Sequence, residues 1–229
     1  MTKATQGYKA LRDFIFRNQF IPGERIYLET LSEKLNISFT PLREALNRLI
    51  QEGLICHDSG RGYILRVITA TEIQHLYELC EALETYSIER TVRRITPSDL
   101  NDLSENLLRY KQSIEAGLPR ERLAINFEFH LKIVKLSGNE LIFQRLNRAF
   151  EMIAWKWKLE NIMLGRGPEA YGEHLAIYNS LKEGDPAGAS AHLQSHIAKT
   201  KNAVLRILRE KESLFDPDAV EFREEVRRG

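Results

Sequence analysis

From about residue 71 to residue 212 the apolar side chains recur at helical spacing, with no alternating stretch that would mark a strand. That property alone restricts most of the chain to packed helices. Punctuation falls where helices must start and stop. Thr69 and Glu72 have capping-box spacing and open a helix expected to run to about Arg94, and Thr96-Pro97 opens another that runs to Ala116, before Gly117. Further helices are expected over 121–136, 140–161, 169–183 and 186–212, the last opened by Asp185-Pro186 as N-cap and first helical position. Six helices without a strand signal predict an all-α antiparallel bundle over 69–212. Residues 213–229 are dense in charge with few apolar anchors and read as a charged tail.

Residues 1–68 follow a different pattern. A first helix is expected from Thr5 to Asn18, and a short one from Leu28 to Leu35 carries Leu28, Leu31 and Leu35 inward. Asn36-Ile37 is a tight connection into a third helix, for which Thr40 supplies the N-cap hydroxyl and Pro41 the first helical position. Leu42, Ala45, Leu46, Leu49 and Ile50 give this helix a buried face, leaving Ser38, Arg43, Asn47 and Arg48 to point outward; Gly53 ends it. Brief apolar runs at 54–57 and 63–67 flank Asp58-Ser59-Gly60-Arg61-Gly62, a hairpin with a cation between glycines at its tip. Two short helices with a tight turn and then a hairpin predict a winged helix-turn-helix, and so a mainly α protein of two domains. Residues 1–70 carry 10 Lys/Arg against 7 Asp/Glu, and the remaining 159 carry 23 against 25, so the basic surplus lies where DNA would bind.

A chain with 43% hydrophobic and 28% charged residues has the balance of a soluble globular protein. No apolar stretch approaches the roughly 20 residues of a membrane span. The polar start, with Thr2, Lys3, Thr5 and Gln6, has no signal-peptide core, so a cytoplasmic location is expected. Cys56 and Cys80 have neither metal-type spacing nor the density of a disulfide scaffold and are expected as reduced thiols.

Pro22-Gly23-Glu24-Arg25-Ile26, then Ser38 to Leu46, then Glu52-Gly53-Leu54-Ile55 and Arg61-Gly62 resemble in order and spacing the winged helix-turn-helix domain of GntR-family bacterial transcription regulators. The resemblance implies a homodimer that sets two recognition helices in successive major grooves of a near-palindromic operator. Ser38, Thr40 and Arg43 would supply base and phosphate contacts, Arg48 a backbone contact, and Arg61 on the wing a minor-groove or phosphate contact. Phe39 departs from the family, which usually has Arg there to read a guanine edge. A phenyl ring lacks that bidentate contact, worth roughly 1 to 3 kcal/mol, so a different operator is expected, with Phe39 packed against a thymine methyl, or else buried or turned away.

His130, His174 and His196 lie on three of the expected helices and could converge inside the bundle, where imidazoles with an oxygen ligand suit Zn²⁺, Ni²⁺ or Mn²⁺. Histidines in helices are also commonly surface or hydrogen-bonded core groups. Asn126 to His130, Ser137-Gly138-Asn139, and His174 and His196 eleven residues either side of Asp185 resemble the FCD effector domain of the FadR-type branch of GntR regulators. Together the two resemblances cover roughly residues 8–210. The second implies a divalent metal held by Asn126, His130, His174 and His196, with a small organic carboxylate completing the coordination. Asn126 stands where Asp is usual, a neutral and weaker donor. Cys80 stands where the family often carries an Arg that grips the effector carboxylate; it reads equally as a small packed hydrophobe. Tyr77, with Trp155, Trp157, Tyr171 and Tyr178, is an aromatic candidate for a pocket wall. His192 falls on an apolar position of the family pattern and reads as a neighbour.

The expected function is therefore a ligand-responsive DNA-binding transcription regulator, a repressor, whose helical domain senses a small organic acid near a divalent metal. A regulator with the ion itself as signal is an alternative. A metal-dependent hydrolase would need a general base beside the metal, and Glu128 lies on the wrong face of its helix to be one.

Overall fold

A computed structural model describes residues 3–17, 20, 22–59, 62–159 and 165–212. The chain divides into two compact units. Among the described residues, the first comprises those up to Thr69 together with 155–159 and 211–212; the second comprises the rest. Arg61 and the 213–229 tail lie outside the described residues.

In the first unit, α1 (Lys3–Arg17) packs on α3 (Phe39–Gln51) and α2 (Leu28–Leu35), and a three-stranded antiparallel sheet completes the unit. Its strands β1 (Arg25–Ile26), β2 (Ile55–Asp58) and β3 (Gly62–Leu65) lie in the order β1-β3-β2. The hairpin register pairs Ile55 with Leu65 and Asp58 with Gly62. The two residues of β1 carry too little alternation to be seen in sequence; their pairing with Ile64 and Tyr63 makes them a strand. Leu11, Ile15, Leu31, Leu42, Leu46, Leu49, Leu54 and Leu65 form the core. The turn between α2 and α3 is closed by Asn36 in the left-handed region (φ 51°), which an Asn side chain tolerates better than most, and by Ser32 Oγ donating to the Ile37 carbonyl at 2.8 Å.

The start of α3 corrects the sequence expectation. Ser38, not Thr40, is the extended N-cap residue (φ −65°, ψ 161°), and its side chain makes no capping bond. Phe39 and Thr40 are already helical, and Pro41 is the third helical residue. The first-turn N–H groups have no intrahelical partner, so a proline at the third position, as at the first, removes no helical hydrogen bond.

The six expected helices follow, and the second unit holds all of them but the ends of the fourth and the last: α4 (Ala70–Val92), α5 (Pro97–Glu115), α6 (Pro119–Leu136), α7 (Glu140–Leu159), α8 (Gly167–Glu183) and α9 (Pro186–Glu212). Thr96 caps α5 in a reciprocal box with Asp99, as the Thr96-Pro97 pair suggested. Asp185 Oδ1 accepts the Gly188 N–H at 3.0 Å at the start of α9. A side chain at Gly188 would run into the Asp185 carboxyl. α6 and α8 begin two residues earlier than expected, at Pro119 and Gly167, because each takes a proline into its first turn. α4 packs on α6, and α5 on both α6 and α8. Thr91 Oγ1 ties α4 to the Ile133 carbonyl of α6 at 2.7 Å. The end of α7 belongs with the first unit, where Arg12 lies 5.8 Å from the Trp155 ring centroid. This removes Trp155 and Trp157 from the bundle's pocket wall. Among the described residues no helix is long and apolar enough to cross a membrane.

Candidate metal centre and nucleic-acid interface

The buried face of α4 runs Ile73, Tyr77, Cys80, Glu84, Ser87, Thr91, a row of three- and four-residue steps with one carboxyl in its middle. Glu84 is 1% exposed, and a buried carboxyl needs a partner. That partner is His130 on α6, whose Nδ1 lies 2.6 Å from Glu84 Oε2. His196 on α9 repeats the arrangement, with Nδ1 2.8 Å from Glu173 Oε2. A carboxylate oxygen accepts, so the tautomer that suits both contacts has its proton on Nδ1 and its lone pair on Nε2. Those lone pairs converge. His196 Nε2 lies 3.2 Å from His130 Nε2 and 3.3 Å from His174 Nε2. One ring nitrogen from each of the three lies within 4.8 Å of the other two.

The ring of His174 is held from other sides. It stacks on Phe129 with centroids 4.6 Å apart and meets Tyr110 edge-on at 5.1 Å. All three histidines are at most 2% exposed. Among the described residues His174 Nδ1 is a buried nitrogen without a hydrogen-bond partner. Burial first, and then the neighbouring His196, His130 and Arg166, hold His174 well below the usual histidine range. Burial likewise lowers His196 to about 4, although the Glu173 hydrogen bond opposes it. Burial pushes Glu173 up, but the hydrogen bond to His196, the charge of Arg166 and a hydrogen bond from Lys199 outweigh it, leaving the carboxyl at about 2. Arg166 grips Glu173 through Nη2 at 2.8 and 3.0 Å and Thr200 through Nη1 at 2.7 Å. Arg166, Glu173 and Lys199 line a groove of about 1160 Å³ between α8 and α9.

Three imidazole nitrogens whose lone pairs face one point repel one another unless a cation or proton stands between them. Two nitrogens each ~2.05 Å from a tetrahedral Zn²⁺ would be about 3.3 Å apart, close to the two separations above. The donor set therefore fits a borderline divalent ion. Asn126, one turn before His130 on α6, is half-buried. His192 and His75 are exposed, and His57 is exposed on β2. Glu128 is held outside the bundle by two bonds from Arg109 at 2.9 and 3.1 Å, which agrees with its exclusion as a base. Sequence reasoning missed Glu84 and Glu173; a Glu at a seam position of α4 and a Glu next to His174 were the available signals.

Tyr77 and Cys80 are 5% and 1% exposed on the α4 seam. Burial pushes both the Tyr77 hydroxyl and the Cys80 thiol up, so both are neutral groups. Arg166 is the cation whose field reaches Tyr77, Tyr110, His174 and His196.

Low histidine values carry a consequence for the metal-free protein. An unfolded histidine titrates near 6.5, so between that value and about 4 the unfolded chain binds more protons than the native one at His196. Stability is complete above pH 6.5 and is lost as pH falls through this window, by on the order of 3 kcal/mol from His196 alone. Urea midpoints of chelator-treated protein should fall steadily from pH 7 to pH 4.5; a flat profile would mean the buried imidazoles are already protonated when folded.

On the first unit, α3 exposes Ser38, Phe39, Thr40, Arg43, Asn47 and Arg48 along one side, and Phe39 is 45% exposed. Phe39 is therefore not buried. Arg48 is engaged within the unit: its guanidinium lies 3.9 Å over the Tyr8 ring and 3.1 Å from Glu52 Oε1, while the Tyr8 hydroxyl donates to Glu52 Oε2 at 2.6 Å. It fastens α1 to the end of α3.

A winged helix-turn-helix followed by an all-helical domain is the architecture of a class of bacterial DNA-binding transcription regulators. Within it, the chain belongs to the GntR family, with an FCD domain. Residues 3–65 match the model of bacterial regulatory proteins of the gntR family, and residues 75–199 match that of the FCD domain. The Nta operon transcriptional regulator of Aminobacter aminovorans is 33% identical over 83% of this chain and 89% of its own length. The solved structure of McbR/YncC from Escherichia coli is similar in fold, with a TM-score of 0.73 and 21% identity, over 93% of this chain and 99% of that one. A GntR-type transcriptional regulator from Rhodococcus sp. RHA1 superposes with a TM-score of 0.73 at 22% identity, over 90% and 98%. Family and relatives are transcription regulators, not enzymes.

Proposed function

We propose that this regulator is a cytoplasmic homodimer and a repressor, with residues 1–68 binding operator DNA and residues 69–212 forming the effector-binding and dimerisation domain. Its bundle holds one Zn²⁺, Ni²⁺ or Mn²⁺ on His130, His174 and His196, with the Asn126 amide as a weak fourth donor. The observation that carries this is the convergence of three Nε2 atoms whose outer nitrogens, on His130 and His196, are fixed by Glu84 and Glu173. The ion supplies a Lewis-acid anchor for a small organic carboxylate. Cys80, neutral and packed, contributes no positive charge; Arg166 takes over that part, and Tyr77 shapes the wall beside Cys80. In DNA, Arg43, Ser38 and Thr40 make base and phosphate contacts, Phe39 packs on a thymine methyl, Arg48 reaches a phosphate with the part of its charge Glu52 leaves, and Arg61 extends the wing.

Elemental analysis of purified protein beside Glu84→Gln tests the metal reading. Gln cannot accept as strongly from His130 Nδ1, so metal affinity should fall about 10- to 100-fold, as for other outer-shell partners of metal-bound histidines. Equal affinity in the two proteins would place the ion elsewhere.

A further inference from the structure

Near the end of α7, Trp155, Lys156 and Trp157 are 2%, 5% and 8% exposed. Successive helical residues point about 100° apart, so burial of three in a row encloses this part of the helix over most of its circumference. It belongs to the same compact unit as α1 and α3, although α4, α5 and α6 separate it in sequence from the wing. Arg12, half-buried on α1, lies 5.8 Å from the Trp155 ring centroid and 5.6 Å from that of Tyr8, both within reach of a cation–π attraction. Its Nη1 donates to the Tyr8 hydroxyl oxygen at 3.1 Å. That hydroxyl gives its own proton to Glu52 Oε2 at 2.6 Å, and burial together with this bond pushes its pKa up, so it remains a donor. Glu52 is the C-cap residue of α3, and its Oε1 accepts from Arg48 Nε at 3.1 Å. The Arg48 guanidinium lies 3.9 Å over the Tyr8 ring while its side chain keeps 54% of its surface exposed. One unbroken set of contacts therefore joins Trp155, Arg12, Tyr8, Glu52 and Arg48.

We propose that the end of α7 completes the DNA-binding unit, with Trp155 as a positioning residue that acts on Arg48 through Arg12 and Tyr8. Residues 1–69 are then not the whole of the DNA-binding machinery. The indole face holds Arg12 where its Nη1 meets the Tyr8 oxygen. Tyr8 in turn directs its proton to one oxygen of Glu52 and leaves the other for Arg48. Arg48 is thereby laid on the Tyr8 ring in one orientation, and a guanidinium fixed before binding loses less side-chain entropy when it meets DNA. Without the Trp155 face, Arg12 is free to turn to Glu52 itself. One carboxylate would then serve two guanidiniums, and Arg48 would lose its fixed orientation. The inference rests on the reading above in which Arg48 reaches a phosphate.

The test is a double-mutant cycle on the full chain, read as affinity for a labelled duplex that the wild-type protein selects from a random-sequence pool. Trp155→Leu removes the aromatic face and should weaken binding roughly 3- to 30-fold, with an unchanged helical circular dichroism spectrum, whereas Trp155→Phe keeps a face for Arg12 and should retain most of the affinity. In an Arg48→Ala background, Trp155→Leu should cost nothing further, because the group it positions is gone. A merely structural tryptophan would cost the same in both backgrounds. Arg12→Gln leaves Trp155 in place and cuts the link, so it should reproduce both the loss and its disappearance beside Arg48→Ala, even where Trp155→Leu does not fold. A folded Trp155→Leu or Arg12→Gln protein that binds as wild type does, or a loss that persists undiminished beside Arg48→Ala, overturns the role of α7. Wild-type affinity in Arg48→Ala alone overturns the Arg48 reading and this inference with it.

Discussion

His174→Ala should lose the metal and everything the metal stabilises. In wild type, an ion present at a thousand times its dissociation constant adds about 4 kcal/mol to folding stability, which calorimetry reads as a rise in Tm on adding Zn²⁺. His174 supplies one of three convergent nitrogens, and its ring fills the space between Phe129 and Tyr110. The variant should therefore show no metal-dependent rise. Its metal-free stability should drop by only about 1 to 3 kcal/mol, because the cavity left by the ring is partly offset by removing one of three mutually repelling lone pairs. A variant that still gains several kcal/mol from Zn²⁺ would show that the ion sits on other ligands.

Arg43→Ala should cost the second-largest effect, on DNA. Arg43 is exposed on α3 beside Ser38 and Thr40, and no ion pair within the chain engages it among the described residues. A bidentate arginine contact is worth roughly 1 to 3 kcal/mol, and a dimer makes it twice, so operator affinity should fall between about thirtyfold and about twenty-thousandfold. If Arg43 binds phosphate instead of a base edge, the loss should be similar on all sequences and the salt dependence of binding should become shallower. Arg48→Ala should act differently, because its guanidinium is shared with Tyr8 and Glu52 and its loss loosens α1 as well as the DNA face. Fluorescence anisotropy with labelled operator across a salt series distinguishes these outcomes.

How much of this was written in the chain depends on the kind of signal. α2 was legible to the residue, and the openings of α5 and α9 were announced by Thr96-Pro97 and Asp185-Pro186, because caps are local chemistry. The start of α3 was misread by two residues, since a proline satisfies any first-turn position equally well. β1 was invisible, because two residues become a strand only through a partner distant in sequence. The histidine cluster was anticipated as three residue types on three helices, but spacing along one helix does not say which faces meet in space. Glu84 and Glu173 escaped for that reason: a carboxyl in a seam looks like a packing error until the histidine it serves is found across the bundle. The aromatic residues at the end of α7 were assigned to the wrong unit for a related reason, because helical spacing is the same whichever core the helix enters.

The central claim is that the bundle's metal and its organic ligand control DNA binding, and operator affinity measured at fixed salt tests it most directly. The protein would be stripped with chelator, then reloaded with Zn²⁺, Ni²⁺ or Mn²⁺, then titrated with small mono- and dicarboxylic acids that coordinate weakly in solution. The account predicts that a carboxylate changes the affinity of the reloaded protein by about 5- to 150-fold, the usual range of allosteric coupling, and leaves the stripped protein and His174→Ala unmoved. A response to metal alone would make the ion the signal. An affinity that ignores both metal and acid, in protein that binds its operator, would contradict the claim.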